Sequence, residues 1–278
     1  GIFIMANTTS TSLAGLFSDI VAQARFTAEQ GSLLQGIVKT YDISNTSGKV
    51  VQVPKYGKVA AAALTEGTDQ TAVAATMTPV DVEVGGVGAV VNVTDIATFG
   101  GQGDVITELG TVLGNAIAVK MDKDVIAKFD GFTNTVGSAT TALDVSLLLQ
   151  AIANVRNNAY TGRLACVLNP LQARHLKADL LTGSPFANDV ANEAMKTGFV
   201  GHIAGCDVYE HNEIAIASNA AKGAVFAPEA IALAMKRDFT LEQERNASLR
   251  STELVATAFY GVAELEDGAG CEIFTKTN

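Results

Sequence analysis

Few side chains of this sequence could do chemistry, and they are scattered. Three histidines, His175, His202 and His211, and three cysteines, Cys166, Cys206 and Cys271, are the softest ligands and nucleophiles available. A catalytic zinc helix needs two histidines one helical turn apart with a glutamate between them, and zinc knuckles need closely paired cysteines. Glu210-His211-Asn212-Glu213 lacks the second histidine, and the cysteines, odd in number and widely spaced with no Cys-x-x-Cys, indicate neither a ligand set nor a disulfide framework. They read as small buried hydrophobes in a reducing compartment. Carboxylates group at Asp122/Asp124 and at Glu264/Glu266/Asp267. Positions i and i+2 of a helix face different ways, so the first pair cannot share a proton, and the second group reads as a solvated turn. Glycines cluster at Gly85-Gly86-Val87-Gly88, at 99–103 and at 198–205. None leads into Gly-Lys-Ser/Thr or sits in a strand–Gly-x-Gly-x-x-Gly–helix setting, and the nearest case, the Gly100–Gly103 break, reads as a hinge, so no phosphate or dinucleotide loop is indicated. No Gly-x-Ser-x-Gly elbow occurs. The expectation is a protein with no catalytic, cofactor-binding or metal-binding residues.

The charged residues that do form a pattern lie on one ribbon. Lys49, Lys55 and Lys58, with Tyr56 among them, stand against Glu66, Asp69, Asp81 and Glu83. Opposite signs on one ribbon suit lateral pairing with a second copy of the chain; ordinary surface solubility is the other reading. These eight residues are the candidate inter-subunit contacts.

The elements that must carry them follow from periodicity. Leu13, Leu16, Phe17, Ile20, Val21 and Ala24 recur at helical spacing, predicting a short helix over about 13–27 that docks on its own core or on a neighbour. Residues 36–60 read as extended. Glu66-Gly67-Thr68-Asp69 is a turn signal, and the alternating Val80, Val82, Val84 followed by Val87, Val90, Val91 and Val93 reads as the returning strand. This long ribbon has few large apolar residues and needs another surface to lie on. After a glycine-rich break, Asp104 is placed to cap a helix of about 25 residues over 104–130. Its apolar rows are Val105, Leu109, Val112, Ala116, Val119 and Ile106, Leu113, Ile117, Met121. Gly110 and Gly114 open it to close packing. Beyond it the pattern predicts a helix over 143–158, a buried strand at 164–168 and a helix from Asn169-Pro170 to about 181. A polar stretch spans 183–198. Strands follow near 203–211, 223–226, 230–245, 249–263 and 271–275.

The chain has 278 residues, 48% hydrophobic and 17% charged, with a net charge of −10 and a pI of about 4.8. Low charge density favours burial against partners. The acidic balance argues against a general nucleic-acid binder, which needs a basic patch, although a shell with a locally basic inner face could still hold DNA. No apolar run reaches the ~18–20 residues of a membrane span. Gly1-Ile2-Phe3-Ile4 before Met5-Ala6-Asn7 suggests either a frame that begins upstream or a cleaved segment.

Taken in order, these segments resemble a known family. GKVVQVPKYGKV (48–59), the helix 104–130, RLACVLNPLQARHL (163–176) and GAVFAPEAIALAMKRDFTLEQERNASLRSTELVATAFYGVAEL (223–265) are together similar to the major capsid proteins of tailed bacteriophages with the Hong Kong 97-type fold. The resemblance covers most of the chain. It implies an α+β fold with an N-terminal arm (1–47), an extended loop and its flanking strands (48–94), and a peripheral domain with a spine helix (95–139). An axial domain (140–245) and return strands of the peripheral domain (246–278) complete it. It further implies self-assembly into pentamers and hexamers of an icosahedral head around double-stranded DNA, in a virion assembled in the host cytoplasm. Scaffold, portal and decoration proteins would be partners, and a membrane would not. Some members crosslink a lysine of the extended loop to a partner asparagine. Lys55 or Lys58 could supply such a lysine, but no asparagine or carboxylate is identified and no crosslink is expected. An encapsulin-type compartment shares the fold, and a soluble α/β enzyme with an unrecognised site is the reading from another class.

Overall fold

The computed structural model describes residues 32–45, 48–57, 59, 61, 63, 66–67, 74–96, 105–158, 160–183 and 201–278. The predicted helix at 13–27, the cap Asp104, the break at 98–103 and most of the polar stretch 183–198 lie outside them.

In chain order the strands are β1 (Lys39–Asp42), β2 (Val50–Tyr56), β3 (Met77–Glu83), β4 (Gly85–Thr94), β5 (Thr135–Val136), β6 (Leu164–Leu168) and β7 (His202–Ile203). They continue as β8 (Cys206–Glu210), β9 (Ile216–Ala217), β10 (Ala220–Phe226), β11 (Ile231–Asn246), β12 (Ser251–Glu264) and β13 (Gly270–Lys276). Among the described residues the α-helices are α1 (Val105–Ile126), α2 (Val145–Asn157) and α3 (Pro170–Gly183). The architecture is α+β, and the described strands form three sheets: four strands in the order β1-β11-β12-β4, seven strands along β5-β13-β10-β6-β8-β7 with β9 beside β10, and the two-stranded β2-β3.

The seven-stranded sheet is the most apolar part. Every residue of β6 is buried, as a strand flanked on both edges and covered on both faces requires. Helix α2 packs on it through Leu148, Ala151, Ile152 and Val155, an i, i+3, i+4, i+7 row. Asp144 caps this helix by accepting from Leu147 N at 2.7 Å. Asn169 does the same for α3, its side chain accepting from Leu171 N at 2.9 Å, with Pro170 at the first helical position. The single strand expected at 203–211 is broken by a turn in which Ala204 and Gly205 both take positive φ, which gives β7 and β8.

Helix α1 lies across the four-stranded sheet. It runs 22 residues rather than 25, about 33 Å at ~1.5 Å per residue. Of the two expected apolar rows, only Leu113, Ile117 and Met121 are buried, joined by Gly110, Gly114, Ala118 and Val125. Val112 of the other row is 56% exposed. The stripe is narrower because the small residues, rather than the second valine row, let the helix approach the sheet. Tyr260 of β12 reaches up to it and donates to Asp124 Oδ2 at 2.7 Å; burial and then the neighbouring Asp124 carboxylate push the phenol's pKa up.

A second correction concerns the ribbon. Residues 85–94 do not continue its returning strand. They form β4 and pair antiparallel with β12 from Ser251↔Thr94 to Tyr260↔Gly85. The two-stranded part is therefore confined to 50–56 and 77–83. Gly261 marks the crossing, since a methyl group there would collide with the Glu83 carbonyl.

Candidate assembly surface on the hairpin

In the β2–β3 hairpin Val51 faces Val82, Val53 faces Val80 and Tyr56 faces Met77. Opposed residues share a face, so the period of two sorts the ribbon into an inner and an outer side. The inner side carries Val51, Val53 and Val82, which pack with Ile43, Val84, Ala232 and Ala234 in a small cluster separate from the main core. This cluster is the hairpin's root. Next along the same side comes Lys55, whose Nζ sits 2.7 Å from Glu266 Oε2 in the turn after β12.

That turn is an acidic corner. Leu265 N and Glu266 N both donate to the carbonyl of Ala230, and Thr133 N donates to Asp267. Burial and then the charge of Asp267 raise the pKa of Glu264, while Lys128 and Lys55 oppose the rise. Burial raises the pKa of Tyr160, aided by Glu266 and Glu229. Lys55 thus answers a local excess of negative charge within its own chain.

The outer side is different. Tyr56 is 69% exposed and Met77 55%, and the directly opposed Pro54 and Pro79 are exposed as well. Toward the root the same side carries Val50, 47% exposed, and then Gln52, Asp81 and Glu83, all exposed. The surface is an apolar strip at the far end with two carboxylates behind it. The bonds Val84 N to Lys49 O and Gly57 N to Thr76 O place the hydrogen-bonded pairs at the odd positions of β2, so Pro54 and Pro79 sit at a pair whose nitrogens point away from the partner strand and the ladder between the two strands is kept.

Of the eight candidate contact residues, Lys49, Tyr56, Asp81 and Glu83 are exposed on the ribbon or at its root, and Glu66 is exposed in the turn with Gly67, which has positive φ. Lys55 is turned to its own chain, and Lys58 and Asp69 lie outside the described residues. Asp81 and Glu83 stand opposite Gln52 and Val50 rather than lysines. Among the described residues these two carboxylates are therefore not paired with a lysine within the ribbon. Sequence reasoning missed Met77, Pro54 and Pro79: Pro54 lies two residues from Tyr56 on the same side, whereas Met77 and Pro79 are brought there by the register between the strands. It also missed Glu266, which no local signal joins to Lys55.

The groups capable of chemistry are dispersed. His175 sits beside Arg174, and burial and that cation lower its pKa. His202 meets Asp207 and His211 meets Asp122, each at 2.9 Å. The cysteines are free and buried; burial raises the Cys166 thiol and pushes that of Cys271 up to about 11, so neither offers a thiolate nucleophile. Among the described residues no group of three or more His, Cys, Asp or Glu side chains could hold a metal ion, and no helix is long and apolar enough to cross a membrane.

Comparison with known proteins gives the family. Residues 78–271 match the family model described as phage capsid protein. The major capsid protein of Staphylococcus phage phiMR11 is 32% identical over 187 residues, a match that spans 66% of this chain and 65% of that protein's length. The capsid of cyanophage P-SCSP1u superposes with a TM-score of 0.70 at 17% identity, covering 89% of each chain. The head of Helicobacter pylori bacteriophage KHP40 gives 0.72 at 14% identity, covering 89% of this chain and 92% of that one. The structural likenesses carry the fold and the sequence match carries the family: this chain belongs to the phage capsid protein family, as a structural rather than an enzymatic protein.

Proposed function

We propose that the chain is the major shell subunit of an icosahedral phage head, assembling as pentamers and hexamers around double-stranded DNA, with the hairpin laid over an adjacent copy. The observation that carries this reading is the uncovered outer strip of Tyr56, Met77, Pro54 and Pro79 on a ribbon rooted in its own small cluster. Exposed apolar area of this kind serves a contact. An isolated hairpin is marginal in water, and here the root holds one side while a neighbour would cover the other.

In the Hong Kong 97-type scheme the region up to residue 47 corresponds to the arm and 48–94 to the extended loop with its strands. Helix α1 corresponds to the spine. Within this scheme we take the axial and peripheral parts by sheet membership, with β1 at the end of the arm region and β4 at the end of the extended-loop region as the strands that join them to the peripheral sheet. Strands β1, β4, β11 and β12 group with α1 as the peripheral part; β5–β10 and β13 group with α2 and α3 as the axial part. Contact with DNA would rest on confinement and local charge, without base readout. Scaffold, portal and decoration proteins are the expected partners, and the host cytoplasm the expected place of assembly.

The test is expression of the full chain and of a Tyr56→Asp/Met77→Asp variant, followed by negative-stain imaging and sedimentation. Closed particles, pentamers or hexamers are expected for the unaltered chain, and smaller folded species for the variant. An unaltered chain that stays monomeric at all concentrations overturns the shell reading. Particles formed equally well by the variant overturn the role of the strip.

A further inference from the structure

We infer that residues 32–38 form a strap held shut by the carboxylate of Asp122, able to open as a unit while the sheets beneath it stay intact. Asp122 on α1 is only 1% exposed. Its Oδ1 accepts from Ser32 Oγ at 2.7 Å and Leu34 N at 3.3 Å, and its Oδ2 from Leu33 N at 3.1 Å and His211 Nε2 at 2.9 Å. Two donors on each oxygen fill the capacity of a carboxylate, and three of the four come from the strap.

The donors have no ready alternative. Leu33 N and Leu34 N open a short 3-10 turn, Leu34–Gly36, where first-turn amides have no partner inside the turn. Ser32 Oγ in addition accepts from Gln35 N at 3.4 Å. The fourth donor is set from the other side of the fold. His211 Nδ1 accepts from Glu213 N at 3.2 Å, which leaves the ring proton on Nε2, pointed at Asp122. An ionised carboxylate buried this deeply is tolerable only while it is fully hydrogen-bonded, so the strap and Asp122 depend on each other.

Open space lies along the strap. A cleft of about 700 Å³ runs along it, lined by Gln35, Gly36, Thr40, Asp42, Lys236 and Asp238 among others. A void of about 20 Å³ lies between Gln35, α1 and the sheet at Ile117, Met121 and Phe239. Beyond the Asp122 bonds, the strap is held by Leu34, fully buried, and Val38, both in the main core, with Ile37 packed against it. The next element, β1, is a four-residue strand that among the described residues pairs with β11 alone. Polar interactions gathered on one carboxylate, a short apolar anchor and open space along the strap are the layout of a segment that opens locally. This inference does not depend on the shell reading.

Hydrogen exchange of the full chain, read by mass spectrometry, tests it. Asp122→Asn replaces an acceptor by a donor that faces donors. Peptides covering 32–38 should exchange at least roughly tenfold faster, the change expected from losing a charge-assisted bond, while β6, β10 and β13 keep their protection. Ser32→Ala should give a smaller rise confined to the same peptides. No change in 32–38 overturns the inference, and so does a rise spread evenly over both large sheets, because Asp122 would then hold the whole fold and no strap. If Asp122→Asn does not fold, Ser32→Ala decides: a rise confined to 32–38 supports the strap, and its absence overturns it.

Discussion

At the scale of single residues, carboxylates do different work according to what surrounds them. Asp122 and Asp124 are two positions apart on α1 and serve opposite directions: the first meets Ser32 and His211, the second Tyr260 and Lys120. Glu264 is the case with a measurable sign. Burial and Asp267 raise its pKa above the ordinary 4.5, so ionised Glu264 works against the folded state at neutral pH. Its penalty fades as pH falls through the raised value and is gone below the unfolded value, where both states are protonated. Glu264→Gln is therefore expected to raise the thermal midpoint near pH 7 and to leave it unchanged below about pH 4; unfolding followed across pH checks this, and equal midpoints at pH 7 would contradict it. Lys55–Glu266 is a weaker contributor. Both side chains are substantially exposed, 44% and 29%, and such pairs contribute about 0–1 kcal/mol. Lys55→Ala should cost no more than that in a denaturant titration.

At the scale of elements, the hairpin is a unit whose stability is local. Val82 is fully buried, in the small cluster at the root. Val82→Ala removes two methyl groups there and should cost about 1–3 kcal/mol. The loss should appear as faster exchange in β2 and β3, with β6 and β10 unaffected, because the main core is a separate cluster. Gly261 ties the hairpin to the four-stranded sheet: Gly261→Ala forces its methyl against the backbone of Glu83, and overpacking of this kind costs about 1–3 kcal/mol in a thermal or denaturant melt. The element scale is also where the sequence was most legible. The alternation in 230–245 and 249–263 located β11 and β12 nearly to the residue, and Asn169-Pro170 located the start of α3. The assignment of 85–94 to the ribbon failed for a physical reason. Val87, Val90, Val91 and Val93 are as strand-forming as Val80 and Val82, and nothing local says that the chain changes sheets between Glu83 and Gly85. That change is fixed by the close crossing at Gly261, far along the chain. For the same reason the outer strip was only half visible. Tyr56 stood out as the aromatic among lysines, whereas Met77 acquires its meaning only from the register that sets it opposite Tyr56.

At the scale of the whole molecule, the question is which force joins copies. Each carries a net charge of −10, so identical subunits repel one another at low salt. Two kinds of contact could overcome this on the ribbon, and they respond to salt in opposite ways. Pairing of lysines with carboxylates across copies would weaken as ions screen it, within a Debye length that falls from roughly 30 Å at 0.01 M to 3 Å at 1 M. Burial of an apolar strip is insensitive to that screening, so removing the general repulsion would leave it stronger in net effect. The geometry favours the second. Lys55 is already engaged with Glu266, and the outer side exposes Tyr56, Met77 and two prolines at its far end. Asp81 and Glu83, of one sign, are set back toward the root, where they add repulsion that salt would relieve. The assembled fraction, followed by sedimentation, should therefore rise as ionic strength increases from about 0.05 to 0.5 M, and Tyr56→Asp/Met77→Asp should abolish the rise. Particles that instead fall apart as salt is added would identify charge pairs between copies as the dominant contact, and Lys49 with Asp81 and Glu83 would then become the residues to reverse in sign.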